Sequence, residues 1–274
     1  MVRVVNYWII RISLLIGLLF YNQSVFSQIS IKDTLSFNRE ISSASVDRID
    51  NLFLTFADGS ITKYNSKLDS VISFSPTKTG QITLMEAWHG FQIFAFYEEF
   101  QEFQLLNRFL TQETRYYLPD IIPDYVNLCT ISSDQNLWVF NETGFKLIKV
   151  NLFTKEVFVE YPLEFLIDEN DLQFIFMREY QNKLFLMNKD YTIYIFDNLG
   201  NYLNKLETPG ITDLCFEDNF LYYLSHEFLY KVHLYNGTSV VKKLPAGNYH
   251  QIEIIRSSIL IFEGKNALVI ERIE

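Results

Sequence analysis

Six short apolar runs recur along this chain, each entered through a polar turn, and their spacing restricts the fold more than any other feature. The unit is clearest in SVDRIDNLFLTFADGSITKYN, Ser45 to Asn65, where two apolar runs flank Ala57-Asp58-Gly59. Runs of the same kind are FQIFAF, LWVFN, LFLM, FLYYL and SILIFE. Placing Phe53, Ile93, Trp138, Phe185, Tyr222 and Leu260 at one equivalent position gives separations of 40, 45, 47, 37 and 38 residues.

A period of about 40–45 residues with several short strands per unit is the signature of a β-propeller blade. The first unit divides into ISSASV, NLFLTF, SITKY and DSVISF, separated by turns of Asp, Asn, Gly and Ser that accept tight-turn geometry. The third reads NLCTIS, LWVFN, FKLIKV and EVFVEY, and the fourth and fifth divide in the same way. Inner strands are apolar, while outer ones alternate with Lys and Glu, as expected when blades pack face to face and only the rim meets water. The sixth unit has QIEIIR, SILIFE and ALVIERI but lacks an outer strand, and ISIKDTLSF, Ile29 to Phe37, is a strand without a blade. Pairing the two removes exposed edges. The expected fold is all-β: a six-bladed β-propeller with four-stranded blades, closed by the amino-terminal strand completing the last blade.

Arg3 and Arg11 precede the apolar run Ile12 to Tyr21, and Val25-Phe26-Ser27 offers a signal-peptidase site. Residues 1–27 therefore read as a signal peptide and 28–274 as one propeller domain, exported to the periplasm or the cell exterior. An uncleaved anchor is the alternative, because Trp8 to Ile10 extend the apolar character. After Gln28 no run approaches the roughly 20 residues that span a bilayer. With 23 Lys+Arg against 33 Asp+Glu, two of the Arg in the signal, residues 28–274 carry about 21 − 33 = −12, which argues against nucleic acid or anionic membrane surfaces as targets. Cys129 and Cys215 sit in corresponding positions of non-adjacent units, too far apart for a bridge of about 4.4–6.8 Å between Cα atoms, and read as buried free thiols.

The residues Asp47-x-x-x-Asn51-Leu52-Phe53-Leu54, Asp58-Gly59-x-Ile61-x-Lys63-Tyr64, Asp134-x-Asn136-Leu137-Trp138-Val139 and Ile195-Phe196-Asp197-x-x-Gly200 resemble the six-bladed propeller superfamily, especially its NHL-like and TolB-like groups. The Gly-His and Trp-Asp marks of WD40 blades are absent, and the chain holds only 10 Gly, fewer than such repeats usually carry.

No catalytic motif stands out. His89, His226, His233 and His250 lie in no G-x-S-x-G elbow or H-E-x-x-H pair, so no catalytic residue, metal ligand or cofactor is expected. His226 and His233 read as solvated, and Tyr249 with His250 as an ordinary loop pair, with an approach to the channel mouth as the alternative. An acid recurs at the turn between second and third strands: Asp58, Glu98 with Glu99, Glu142, Asp190, Glu227 and Glu263. Those turns share a face with the connections between blades. The connections Pro119 to Tyr125 and Tyr161 to Leu172 are long, acidic and apolar, which nominates Ile121, Ile122, Asp124, Glu164, Phe165 and Asp168 as contacts for a partner. Trp88-His89, on the opposite face, is either an anchor or half-buried packing beside Phe91.

Two functions follow. One is an exported, non-catalytic module that binds a protein, peptide or glycan. The other is a propeller hydrolase or lactonase with its site in the central channel, built from polar residues at inner-strand ends: Glu86, Arg178, Glu179, Glu217, Asp218 and Arg256. Convergence of Glu86, Glu217 and Asp218 on the axis would favour the enzyme.

Overall fold

The structure is a computed structural model and describes residues 29–273 other than Phe91, Gln112, Phe165, residues 167–172 and Ser257. The expected signal peptide and Gln28 lie outside the described residues.

Six antiparallel sheets of four strands each surround an axis, as the repeat requires. Their innermost strands are Ser43–Val46, Leu84–Glu86, Val126–Ile131, Phe174–Tyr180, Ile211–Glu217 and Gln251–Ile255, in blades 1 to 6. In blades 1 to 5 the strands follow one another outward in chain order. The sixth blade takes its outer strand from the amino-terminal side: Ile31–Ser36 lies antiparallel to Asn266–Glu271, with Leu35 opposite Ala267. Phe37 N donates to Lys265 O at 2.8 Å, continuing the join past the strand.

Burial follows the expected radial gradient. The second strand of blade 1, Leu52–Thr55, is buried throughout, whereas its outer strand, Ser70–Phe74, has its side chains exposed or half-buried. Phe53, Trp138, Phe185 and Leu260 are at most 1% exposed, so the equivalent apolar positions are the packing units between blades.

Around those positions the repeat has a finer period of two blades. Opposite Phe53, Trp138 and Tyr222 the inner strand carries the small polar residues Ser45, Thr130 and Cys215, and the third strand carries Lys63, Lys149 and Lys231. In blades 4 and 6, Phe185 and Leu260 stand opposite Arg178 and Glu253, with Ile195 and Val269 on the third strand, while in blade 2 the inner-strand charge, Glu86, is one place on, opposite Phe94. Charge in the third strand of odd blades thus alternates with charge in the inner strand of blades 4 and 6.

Turns explain the scarcity of glycine. The turn between first and second strands puts at least one residue at positive φ in every blade: Asp50, Gly90, Gln135, Gln181 with Asn182, Asp218 and Arg256. Only one of these is Gly, and Asn and Asp bear that conformation at modest cost. Gly59 is a different case, because at φ +77° a Cβ there would stand 2.3 Å from the Gly80 carbonyl oxygen. The Asp residues of the propeller-like motifs are turn clamps. Asp47 accepts Ile49 N at 3.0 Å and Asn51 N at 2.9 Å, and Asp197 accepts Leu199 N and Asn201 N at 2.9 and 2.8 Å.

Candidate functional site: the axial cavity

Inner strands end at the face that carries the turns between first and second strands, and there the axis opens into a cavity of about 540 Å³. Every blade supplies part of its wall: Arg48, Trp88, Ser133, Tyr180, Asp218 and Glu253 come from blades 1 to 6 in turn. Cavities of this size suit small ligands or a single projecting side chain.

Deeper in the ring, polar side chains stitch neighbouring inner strands together. Thr130 Oγ1 donates to both oxygens of Glu86 at 2.9 and 2.8 Å, and itself accepts the Glu179 N–H at 3.4 Å. Glu179 is fully buried and takes Ser133 N, Ser133 Oγ and Trp138 Nε1, each at 2.8 Å. Asp213 Oδ2 accepts Ile252 N at 2.8 Å across blades 5 and 6. Ser45 Oγ accepts Ala87 N at 3.0 Å across blades 1 and 2.

Arg178 is the cation among these acids. Its Nε stands 3.2 Å from Glu86 Oε1, out of line for a hydrogen bond. Burial pushes the Glu86 carboxyl up to about 7 against the pull of Arg178. Burial likewise lifts Asp213 to about 7, opposed by the Ile252 hydrogen bond and Arg178. Glu253 rises to about 8, from burial, with Arg178 opposing and Asp213 adding. It is 8% exposed, lines the cavity and accepts no hydrogen bond from any described residue.

The rim is aromatic and acidic. Tyr180 stacks on Phe216 at 4.9 Å between ring centres and meets Trp88 edge-on at 5.9 Å. Burial, then Asp218, pushes the Tyr180 phenol up to about 12, so it stays protonated. Arg48 donates Nε to the Trp88 carbonyl at 3.1 Å, and Arg272 is held by Glu217. His89 stacks on Trp88 at 3.7 Å and is lowered to about 3, first by burial and then by Arg48 and Arg178, so it is neutral. Burial raises the Cys129 and Cys215 thiols well above their ordinary value, and neither is bridged. Proton exchange near neutrality is therefore available to Glu86, Asp213 and Glu253. Among the described residues no group of three His, Cys, Asp or Glu could hold a metal ion.

The inner-strand residues expected at the axis are partly brought together. Glu217, Asp218 and Arg178 line the cavity, Glu86 pairs with Arg178 from within the ring, and Glu179 is spent on the seam between blades 3 and 4. Arg256 turns away: its N–H binds Asp50 Oδ1 at 2.8 Å and its guanidinium binds Ser66 Oγ. Tyr249 does not approach the channel mouth: it is 6% exposed, packs in the core and donates its hydroxyl to Pro245 O at 3.0 Å. Trp88 is half-buried on His89 and Tyr180, and Phe91 lies outside the described residues. His226 is exposed and His233 half-buried against Phe220.

On the opposite face the nominated contact residues separate. Ile122 is 4% exposed, because the turn Leu118–Asp120 folds it inward with Ile122 N on Leu118 O at 2.8 Å. Ile121 is half-buried against the same core. Neither is therefore the exposed anchor that the sequence suggests. Asp124 accepts Asn141 Nδ2 at 2.7 Å, and Glu164 is exposed. Phe165 and Asp168 lie outside the described residues. The recurrent acids on that face act largely as local clamps: Asp58 holds Ser60 and Arg39, Glu227 pairs with Lys243 at 3.4 Å, and Glu263 accepts Asn248 N at 2.7 Å.

Sequence reasoning did not single out Glu253, Asp213, Arg48 or Tyr180. For the two acids a signal was present, since each interrupts a mainly apolar inner strand, in QIEII and ITDLCF.

No protein-family model matches the chain, and no curated protein matches it in sequence. Solved structures do match in fold. The β-propeller domain of Cps50 (Swd1) from Myceliophteria thermophila superposes with a TM-score of 0.64 at 13% identity, covering 89% of this chain and 100% of that one. The WD40 domain of Neurospora crassa Pan2 gives 0.58 at 11%, covering 89% and 97%. A catalytically inactive virginiamycin B lyase from Staphylococcus aureus with quinupristin gives 0.57 at 13%, covering 84% and 81%. At these identities the likeness is one of fold, and it spans both WD40 propellers and a lyase.

Proposed function

We propose that this chain is an exported recognition propeller, working in the periplasm or outside the cell, that holds a protein, peptide or glycan segment in its axial cavity without transforming it. One observation carries the reading: Glu253 lines the cavity, is 8% exposed and accepts no hydrogen bond from the described residues. A carboxyl at the cavity wall that accepts nothing from the described residues keeps its acceptor capacity for a ligand. A ligand that supplies the donor gains a charge-assisted hydrogen bond on binding. Aromatic rings at the rim add the apolar contact that concentrates binding energy in a few side chains.

Binding is favoured over catalysis because the cavity offers no activated nucleophile: Cys215 is held as a thiol and His89 is stacked and neutral. The second reading, a propeller hydrolase or lactonase, keeps one supporting observation, carboxylates raised to about 7 or 8 in a cleft. A further macromolecular contact through the connection face is supported by two separately exposed residues on it, Tyr125, 57% exposed with its hydroxyl on Glu98, and Glu164.

The test is a calorimetric and turnover screen of residues 28–274 against peptides, oligosaccharides, esters and lactones. Binding without turnover, weakened in Trp88→Ala and Tyr180→Ala, is the expected result. Unchanged binding in both variants removes the cavity, and turnover lost in Glu253→Gln replaces the reading with the enzyme. For export, protein recovered from the native source should begin at Gln28.

A further inference from the structure

Resting on the cavity as the binding site, we propose that its ligand carries an organic cation, a primary ammonium or guanidinium on an alkyl arm, with Glu253 as counter-ion and Trp88, Tyr180 and Phe216 as the wall.

The argument is one of unassigned charge. Glu86, Asp213 and Glu253 converge on a single guanidinium, Arg178, which stands against Glu86 at 3.2 Å. The other guanidiniums nearby bond elsewhere than to Glu253: Arg48 to the Trp88 carbonyl, Arg256 to Ser66 and, as an ion pair, Arg272 to Glu217. Glu253 is therefore a cavity-lining acid, more than nine-tenths buried, to which the described residues offer no donor. Further out, Asp47, Asp50 and Asp218 outnumber Arg48 at the mouth, with Glu217 already paired to Arg272, so an anion meets repulsion on entry, and a neutral ligand gives the Glu253 carboxylate no counter-ion. Three aromatic rings line the same space, and ring faces attract organic cations while an alkyl arm packs on their edges.

Binding is also expected to release a proton. Glu253 faces Arg178, Asp213 and Cys215, and burial keeps its proton on at neutral pH in the empty site. A cation must displace that proton, so affinity should rise with pH up to about 8 and then level off.

The experiment titrates the folded protein with cadaverine, agmatine and N-acetyl-lysine amide, with N-acetyl-norleucine amide and pentanoate as uncharged and anionic controls. Cations should bind at least about tenfold more tightly than either control, and Glu253→Gln, with its melting curve checked, should abolish that preference. Tyr180→Leu should weaken all three cations. Preference for N-acetyl-lysine amide over cadaverine identifies a peptide side chain as the source, and the reverse identifies a free amine. Equal binding of the norleucine probe, or a cation preference intact in Glu253→Gln, overturns the proposal. Slowed alkylation of Cys215 by a neutral probe in the absence of cation binding would overturn the cation while leaving the cavity as the site. Absence of any effect from all probes at millimolar concentration would overturn both.

Discussion

Lys149 holds its ammonium 5.1 Å from the centre of the Trp138 ring and 2.9 Å from Asp134 Oδ2, with its side chain 4% exposed. The same pairing recurs in the other odd blades, Lys63 over Phe53 at 5.4 Å and Lys231 over Tyr222 at 5.8 Å. Each lysine also reaches a backbone carbonyl of the next blade: Arg108 O at 3.0 Å, Asn198 O at 3.2 Å and Ile273 O at 2.6 Å, from Lys63, Lys149 and Lys231 respectively. An ammonium, on a lysine that is buried in blades 1 and 3 and half-buried in blade 5, thus ties each odd blade to the even blade after it. Lys149→Met should destabilise the protein by about 1–3 kcal/mol in urea unfolding, because the Asn198 carbonyl and the Asp134 carboxylate lose their donor. The exposed Lys205→Met should stay within about 0.5 kcal/mol. Equal effects would mean that the lysines only fill space.

This pairing also marks what the sequence could and could not disclose. The blades were legible because Phe53, Trp138, Phe185 and their equivalents are buried in every copy, and hydrophobic spacing reports burial directly. Closure was legible because two incomplete ends left one arrangement without bare edges. The two-blade period was visible in Lys63, Lys149 and Lys231, but a lysine in a strand reads as solvated until its ring and carbonyl partners are seen. The cavity was less legible. Glu86 and Arg178 were nominated from their place near strand ends, yet whether an acid at such a place faces a neighbour, as Glu179 does, or open space, as Glu253 does, depends on the angle between blades. Ile122 failed for the opposite reason: a single 3-10 turn carries it from an apparent loop surface into the core.

Ring closure gives the second prediction. Ile31–Ser36 is mostly exposed, with Leu35 its one half-buried side chain, so its contribution is the ladder to Asn266–Glu271 and the cover it places over that edge. Deleting residues 28–37 should lower the melting temperature by about 10 °C or more and expose a strand edge to aggregation. Leu35→Asp should give a smaller loss without aggregation. A truncated protein that melts like the full chain would show that the ring closes without this strand.

The thiols give the third. Cys129 and Cys215 are 1% and 2% exposed, lie in the inner strands of blades 3 and 5, and have their ionisation suppressed by burial. Native protein should react slowly with iodoacetamide, Cys129 more slowly than the cavity-lining Cys215, and both should alkylate fully in denaturant. Mass spectrometry showing a Cys129–Cys215 bridge would contradict the blade assignment.

The fourth prediction turns the buried acids into a pH dependence. In the folded protein Glu253 holds its proton to about pH 8, whereas in the unfolded chain it loses it near the ordinary value of 4.5. Between those limits the unfolded state binds fewer protons, so stability falls as pH rises and the loss is complete above about 8. Asp213 and Glu86, each raised to about 7, act in the same direction. Glu253→Gln removes one titration. Its unfolding free energy should decline less steeply than wild type between pH 5 and 8.5 and exceed it at pH 8.5 by at least about 1 kcal/mol, since a tenfold difference in proton affinity between folded and unfolded chains corresponds to about 1.4 kcal/mol. Urea unfolding at the two pH values measures both quantities. Parallel curves would mean that Glu253 finds a donor in solution, which would remove the unmatched carboxylate on which the cavity reading stands. A saturating organic cation should flatten the wild-type curve and leave that of Glu253→Gln unchanged, because only the carboxylate can pair with it.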